Sequence, residues 1–455
     1  MPTSVLPTSS PTLDELSHAL DSGKVTSRSL TDACLARIED KAGEGARTFL
    51  KVDAAKVRRA ADAMDGLRAA GAVPSRFAGI PMSVKDLFDV QGEVTRAGSR
   101  ALADAPPAAQ DAEVIARVRK AGFVVVGRTN MTEFAYSGLG INPHYGTPAN
   151  TWQRATPRVP GGSSSGAAIS VADGMAHAAL GTDTGGSCRI PAAFNGIVGY
   201  KPTAQLIPQE GIVPLAPSLD AAGPLARSVR CCASLHAILA GEPEFALPDL
   251  DVAGLRFAIP QTMALDDLDP EVARAFEASI KRLSSAGAKI VDTPLHAFKR
   301  IPTLSHKGGF AAMESYAWHR KLIETKRALY DPRVVSRIAK GVDGTAADYL
   351  DLLAARETFI DEAEAEMAPF DALVLPAVAI VPPRIADLAS DDAYTRANVL
   401  ALRNTTLINL VDGCAISLPI HRPGEAPVGL MLACKGGDDH RLFALAAAVE
   451  KALSQ

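Results

Sequence analysis

Gly181-Thr-Asp-Thr-Gly-Gly-Ser-Cys-Arg-Ile-Pro191 follows a run, Met175 to Leu180, with the length and composition of a buried strand. The segment offers Ser187 directly after two glycines. Several backbone N–H groups can therefore converge beside one hydroxyl, as an oxyanion hole for acyl transfer requires. Alone, the same residues could form a wide turn. Just upstream, Pro160-Gly-Gly-Ser-Ser-Ser-Gly-Ala-Ala168 places three hydroxyls before a small-residue helix expected near 166–173, where the first N–H groups of a helix lack partners. A flexible Gly/Ser turn has a similar composition. Gly162 to Gly166 also satisfies G-x-S-x-G, which would make Ser164 the nucleophile. That motif needs a strand running into it, and Thr156-Pro-Arg-Val-Pro160 has two prolines where the strand would pair.

Farther upstream, Ile80-Pro-Met-Ser-Val-Lys-Asp-Leu-Phe88 puts Lys85 at the end of an apolar strand. One reading pairs it with Asp86 or Asp89. The other makes it a base. A lysine accepts a serine proton only if burial brings its pKa from about 10.4 toward roughly 7 or 8, which costs about 4 kcal/mol. Nine histidines are present, none of them in either Gly/Ser loop. His144 lies in a nearby loop, and a Ser-His-Asp arrangement stays open as a second mechanism.

Strand and helix patterns alternate outward from these loops. Strands are expected at 80–84, 123–127, 175–180, 255–259, 289–292, 372–376, 414–418 and 428–433. Helices are expected at 111–121, 166–173, 270–286, 346–368 and 440–453, with another ending near Leu410. Before them come three helical segments: one opened by the capping box Thr12-Leu-Asp-Glu15, one at 29–39 and one at 54–70, read as an N-terminal cover. Residues 1–11 are rich in Pro, Ser and Thr and read as a flexible segment. No repeat and no linker interrupts the rest. The pattern predicts an α/β fold for 12–455 as a single domain, a mixed twisted sheet covered by helices on both faces.

Composition narrows the function. The formal net charge is -4, so there is no basic field for nucleic acid or an anionic bilayer. Six cysteines show no CxxC pair and no metal-ligand spacing. The N-terminus has neither a basic nor an apolar leader pattern, and no apolar run reaches about 18 residues. A soluble cytoplasmic protein is the expectation.

Taken together, Lys85, the Gly161-Gly-Ser-Ser164 loop and Gly181-x-Asp-x-Gly-Gly-Ser-x-Arg189 resemble the amidase signature family, in the same order, with Ser163 and Ser187 separated by 24 positions. Pro191-Ala-Ala-Phe-Asn-Gly-Ile-Val-Gly-Tyr-Lys-Pro-Thr203, Ser218 to Arg227 and Pro427-Val-Gly-Leu-Met-Leu432 extend the resemblance over most of the chain. It implies Ser187 as the nucleophile of an acyl-enzyme, Ser163 as the proton relay and Lys85 as the base. It also implies oxyanion donors from Thr184, Gly185, Gly186 and Ser187, support from Ser164, Asp183 and Arg189, and a cis peptide between Gly162 and Ser163. Ser165, where glycine is common, and Cys188, where an aliphatic residue is usual, depart from the pattern. Cys188 adjoins no cation but Arg189 and fits a packing role.

The resemblance implies a hydrolase of C–N acyl bonds that needs no metal or organic cofactor. The segment Glu133 to Gly146 is similar to a pocket loop of small-amide members of the indoleacetamide hydrolase type. Phe134, Tyr136, Leu139 and Ile141 would there suit an apolar or aryl acyl group, though such residues also build cores. Aryl or alkyl amides are the expected substrates, with anilides and carbamates (a urethanase activity) close behind and esters as a side reaction, acted on by a monomer or homodimer. The alternative is the A subunit of a glutamine-dependent tRNA amidotransferase, against which no clear glutamine-binding arginine and acid pair is found between Arg300 and Arg403. A catalytically dead scaffold is disfavoured because all three signature residues are present.

Overall fold

The computed structural model describes residues 11–454, and eleven strands among them form one sheet. In chain order they are β1 (Phe49–Lys51), β2 (Pro81–Lys85), β3 (Val124–Thr129), β4 (Ala178–Asp183), β5 (Val198–Lys201), β6 (Ala221–Ala226), β7 (Arg256–Pro260), β8 (Lys289–Thr293), β9 (Ala372–Pro376), β10 (Cys414–Pro419) and β11 (Gly429–Cys434). Across the sheet the order is β1-β3-β2-β4-β6-β5-β10-β11-β9-β7-β8. Two parallel patches, β3-β2-β4 and β9-β7-β8, flank an antiparallel centre. The expected mixed α/β architecture is present.

Both faces of the sheet are buried, and the strand period shows how. On β10 and β11, Ile416, Leu418, Leu430 and Leu432 pack with Val229, Leu235, Leu442 and Leu445 of the helices Val229–Ala240 and Asp439–Ser454. Their neighbours Ala415, Met431 and Ala433 point the other way, to Phe359 and Leu407 of the helices Ala346–Met367 and Asp391–Leu410. Alternate residues thus feed two helix layers. The helices Ser27–Glu39 and Ala54–Ala69 cover β3 through Leu35, Val57, Val124 and Val126. The capping box forms as read: Thr12 Oγ1 accepts from Glu15 N–H, and Thr12 N–H donates to Glu15 Oε2 at 2.7 Å. Apart from Pro11, the segment expected to be flexible lies outside the described residues. No described helix is long and apolar enough to cross a membrane.

Four strands differ from expectation, one of them being β1, Phe49–Lys51, which no sequence pattern marked. β4 begins at Ala178 rather than Met175, because the N–H groups of Met175 and Ala176 donate to Ser170 O and close the preceding helix Ser165–Ala172. β5 and β6 were not expected: Ala221-Ala-Gly-Pro-Leu-Ala226 carries little β propensity and has Pro224 opposite Leu180 in the ladder. Its place is set by the neighbouring strands. Small residues are needed there, since a Cβ on Gly223 would lie 2.2 Å from Tyr200 O.

Candidate active site

Parallel pairing of β2 with β4, with Val84 opposite Leu180, brings Lys85 and the residues Gly181 to Asp183 to the same edge of the sheet. The helix Ser165–Ala172 runs back from that edge, so Ser163 and Ser164 at its entrance face the end of β4. Ser164 Oγ donates to Thr182 O at 3.2 Å. This packing needs glycine at 181, where a Cβ would lie 2.7 Å from Ser164 Oγ and 2.8 Å from Leu225 Cδ1. The two serine loops are also joined directly: Ser164 N–H donates to Ser187 O at 3.3 Å. The Gly162–Ser163 peptide is cis.

Lys85 is fully buried, and its Nζ lies 2.7 Å from Ser163 Oγ and 2.7 Å from Thr182 Oγ1. The ion pair open to it in sequence does not form. Asp86 instead takes Arg128 Nε at 2.7 Å and Gly98 N–H at 3.0 Å, and Asp89 accepts from Thr95 Oγ1 at 2.6 Å. Burial pulls Lys85 down to about 8, with the negative charges of Asp183 and Asp220 opposing. An ammonium in this position is strongly desolvated, so roughly a tenth is free amine at about pH 7, against well under a thousandth for an ordinary lysine.

Asp183 and Arg189 form the frame beneath the nucleophile loop, and both are wholly buried. Arg189 Nε and Nη2 donate to the Asp183 carboxylate at 3.0 and 2.8 Å, its Nη1 to Thr405 O at 3.0 Å, and Nη2 also to Asn409 Oδ1 at 2.6 Å. Burial opposes charge on Asp183, but the Arg189 charge and hydrogen bonds prevail and hold its carboxyl well below the usual carboxylate range. That carboxylate also accepts the N–H of Gly186 at 2.8 Å and of Cys188 at 3.0 Å.

Here one expectation changes. The N–H of Gly186 is turned back to Asp183, leaving Thr184, Gly185 and Ser187 as the loop residues whose N–H groups have no acceptor among the described residues. Gly185 is also the partly exposed member of this otherwise buried loop. Thr405 Oγ1 donates to Gly185 O at 2.6 Å and Thr406 Oγ1 donates at 3.2 Å, which fixes the plane of that peptide. Thr184 Oγ1 donates to Asp220 Oδ1 at 2.5 Å, and Asp220 in turn accepts from Leu215 and Ala216 N–H.

The four apolar residues expected to line a pocket separate. Leu139 is buried in the core with Val159 and Ile190. Phe134 is buried in an aromatic cluster, 4.3 Å between ring centres from His319 and 5.1 Å from Tyr330. Tyr136 and Ile141 stay partly exposed. The Tyr136 hydroxyl lies near Ser315, and its carbonyl accepts from Arg337 Nη1 at 2.7 Å. Leu402, not expected, stands beside the site: a Cβ on Gly138 would meet it at 3.1 Å and one on Gly185 at 3.5 Å. A cavity of about 560 Å³, with Pro217, Ser218, Tyr316, Arg320 and Tyr349 in its walls, opens between the Asp220 loop and the helix that carries Ser315. His144 Nε2 is paired with Glu133 Oε1 at 2.8 Å and, among the described residues, forms no hydrogen bond to either serine loop. Cys188 is buried against Gly223 O, and burial with the nearby Asp183 charge pushes its thiol pKa far up, so it stays protonated.

Such a sheet edge, with a buried lysine on one serine loop and unpaired N–H groups on the other, has the form of a serine amidohydrolase. The amidase family model matches residues 29–443, and the chain belongs to the amidase signature family, whose members hydrolyse C–N bonds. It is 38% identical over 440 residues to the 2-amino-5-chloromuconic acid deaminase of Comamonas testosteroni, with 95% of this chain and 94% of that one covered. It is 33% identical over 473 residues to the A subunit of the glutamyl-tRNA(Gln) amidotransferase of Lacticaseibacillus paracasei, covering 96% of each. A crystal structure of an amidase superposes with a TM-score of 0.86 at 32% identity, over 97% of this chain and 99% of that one.

Proposed function

We propose that this chain hydrolyses small amides through a covalent acyl-enzyme on Ser187, with Ser163 relaying protons to Lys85. The observation that carries the proposal is Lys85, wholly buried, in no ion pair among the described residues and 2.7 Å from Ser163 Oγ. As the free amine, Lys85 keeps an N–H on Thr182 Oγ1 and presents its lone pair to the Ser163 hydroxyl. Ser163 then donates to Lys85 while accepting the proton of Ser187 as Ser187 Oγ attacks the carbonyl carbon. The negative charge that develops on the carbonyl oxygen is met by the N–H groups of Thr184, Gly185 and Ser187. On collapse, the proton returns from Lys85 through Ser163 to the departing nitrogen, and the C–N bond breaks. Water frees the acid by the same route in reverse.

Leu402, beside Gly138 and Gly185, and the partly exposed Tyr136 and Ile141 are the side chains we assign to the acyl group bound at Ser187. Aryl and alkyl amides fit this setting, with anilides and carbamates next and esters as a side reaction. We place the protein in the cytoplasm, as a monomer or homodimer without a cofactor or a nucleic-acid or membrane partner. The likeness to the A component of a tRNA amidotransferase over 96% of both chains supports a second reading, glutaminase activity within an assembly.

The test is product release from an anilide, a primary aryl amide, an aryl carbamate, 2-amino-5-chloromuconic acid and glutamine. Ser187→Ala and Lys85→Ala serve as controls. Turnover of an amide or carbamate that is lost in both variants is the expected result. Turnover of glutamine alone favours the second reading, turnover of the chloromuconate alone moves the substrate class to amino dicarboxylates, and activity unchanged in Ser187→Ala overturns the mechanism.

A further inference from the structure

Three metal-ligating side chains meet where the helix Val229–Ala240 ends and the helix Asp439–Ser454 begins. The ligand atoms of His236, Glu242 and His440 all lie within 4.8 Å of one another. Gly241, at φ 75°, ends the first helix and turns the chain so that Glu242 comes beside His440. Glu242 Oε2 and His440 Nε2 are 2.8 Å apart, with both side chains partly open to solvent.

His236 is the unusual member. Its side chain is completely buried, and neither Nδ1 nor Nε2 has a hydrogen-bond partner. Among the described residues it is the histidine in which both buried ring nitrogens are left so. Its surroundings are ring edges and faces: Tyr200 lies edge-on at 5.4 Å between centres and Phe443 at 5.4 Å. An aromatic face can accept one N–H. It offers nothing to the lone pair of the other nitrogen, and leaving a buried polar atom unmatched is costly. A lone pair kept dry and unmatched beside a carboxylate and a second imidazole is the donor set of a cation site.

We propose that His236, Glu242 and His440 bind one divalent transition-metal ion of the zinc class, clipping the end of the helix Val229–Ala240 to the start of the C-terminal helix. Two imidazoles and one carboxylate select such an ion over magnesium or calcium, which take oxygen ligands. Zinc–nitrogen bonds of about 2.0–2.1 Å set neighbouring ligand atoms roughly 3.3 Å apart. The present spread closes by rotation of the outer two side chains onto the fixed His236. The ion enters from the solvent side at His440, where water completes its shell. Asp439, whose buried carboxylate is held by Tyr200 Oη and by Thr203 N–H at 2.9 Å, adds a second negative charge behind the site. None of the three ligands touches Lys85, Ser163 or Ser187, so the metal acts on the scaffold rather than on the C–N bond.

The experiment uses the full chain, stripped with chelator and freed of it by gel filtration, then titrated with Zn²⁺ by calorimetry and with Co²⁺ by visible absorption. One equivalent of each is expected to bind. The Co²⁺ form should show d–d bands without a thiolate charge-transfer band, and Zn²⁺ should raise the melting temperature. His440→Ala and Glu242→Gln change partly exposed positions and should fold. Each should weaken binding by at least about 10–100-fold, the loss typical of even an outer partner of a metal ligand. No stoichiometric binding by the parent chain, binding unchanged in both variants, or a thiolate band that places cobalt on the buried cysteines would each overturn the proposal.

Discussion

Lys85 Nζ and Ser163 Oγ stand 2.7 Å apart in a fully buried site, while the carboxylates beside Lys85 in sequence bind other partners: Asp86 binds Arg128, and Asp89 binds Thr95. Burial brings the lysine to about 8. The amine must be free to accept a proton, so kcat/KM is predicted to rise with pH through a single ionisation near 8 and then level off. Lys85→Arg, which cannot lose its proton at these pH values, should abolish the rise and the activity together. A profile centred near the ordinary histidine value, about 6.5, would contradict this assignment.

The same shift predicts a stability signature that needs no substrate. In the folded chain Lys85 loses its proton near 8, whereas unfolding returns it to water and restores a value near 10.5. Between these the unfolded chain binds more protons, so stability rises with pH across that window, by roughly 3 kcal/mol in total. Lys85→Met removes this rise. The melting temperature of the variant relative to the parent should be highest below pH 8 and fall steadily toward pH 10.5. A difference that does not vary with pH would show that the lysine is not desolvated.

Asp183 and Arg189 are expected to behave as one unit. Arg189→Met leaves a buried carboxylate without its counter-charge and should destabilise the fold by about 3–5 kcal/mol in urea unfolding. Arg189→Lys should recover little of that, because a single ammonium cannot make the Nε and Nη2 bonds to Asp183 together with the Nη1 bond to Thr405 O. Full recovery by lysine would mean that charge alone, not the fork geometry, holds the loop.

Thr405→Val keeps the shape of a buried side chain and removes its 2.6 Å hydrogen bond to Gly185 O. If that bond holds the Gly185 N–H toward the developing oxyanion, kcat should fall about tenfold or more while KM stays near the parent value. A rise in KM at constant kcat would instead assign Thr405 to substrate binding.

Sequence patterns carried the fold where burial is uniform and failed where small residues are forced by neighbours. The apolar runs of β2, β3 and β9 read correctly because strands covered on both faces are continuous in hydrophobicity. Ala221 to Ala226 has no such signal, and its strand exists because β4 and β5 pair on either side of it. Lys85, Ser163 and Ser187 were legible from three local motifs and their order. Thr182, next to Gly181 in a quoted motif, gives no such signal, because a strand threonine has no chemical mark of its own. Thr405 and Asn409 come from a helix more than 200 residues away, where spacing carries no information about contact. Phe134 and Leu139 show the limit of residue type: aromatic and aliphatic side chains look alike in sequence whether they line a pocket or fill a core. His236, Glu242 and His440 escaped for the same reason as Thr405, since the fold alone brings them together.

The most direct test of the account is the intact mass of the protein during turnover of an activated aryl ester or carbamate, followed by peptide mapping of any adduct. The account predicts one acyl or carbamoyl group on Ser187, formed much more slowly in Lys85→Ala and absent in Ser187→Ala. An adduct on Ser163, Ser164 or Cys188, or rapid turnover with no covalent species on any of them and undiminished in Ser187→Ala, would contradict it.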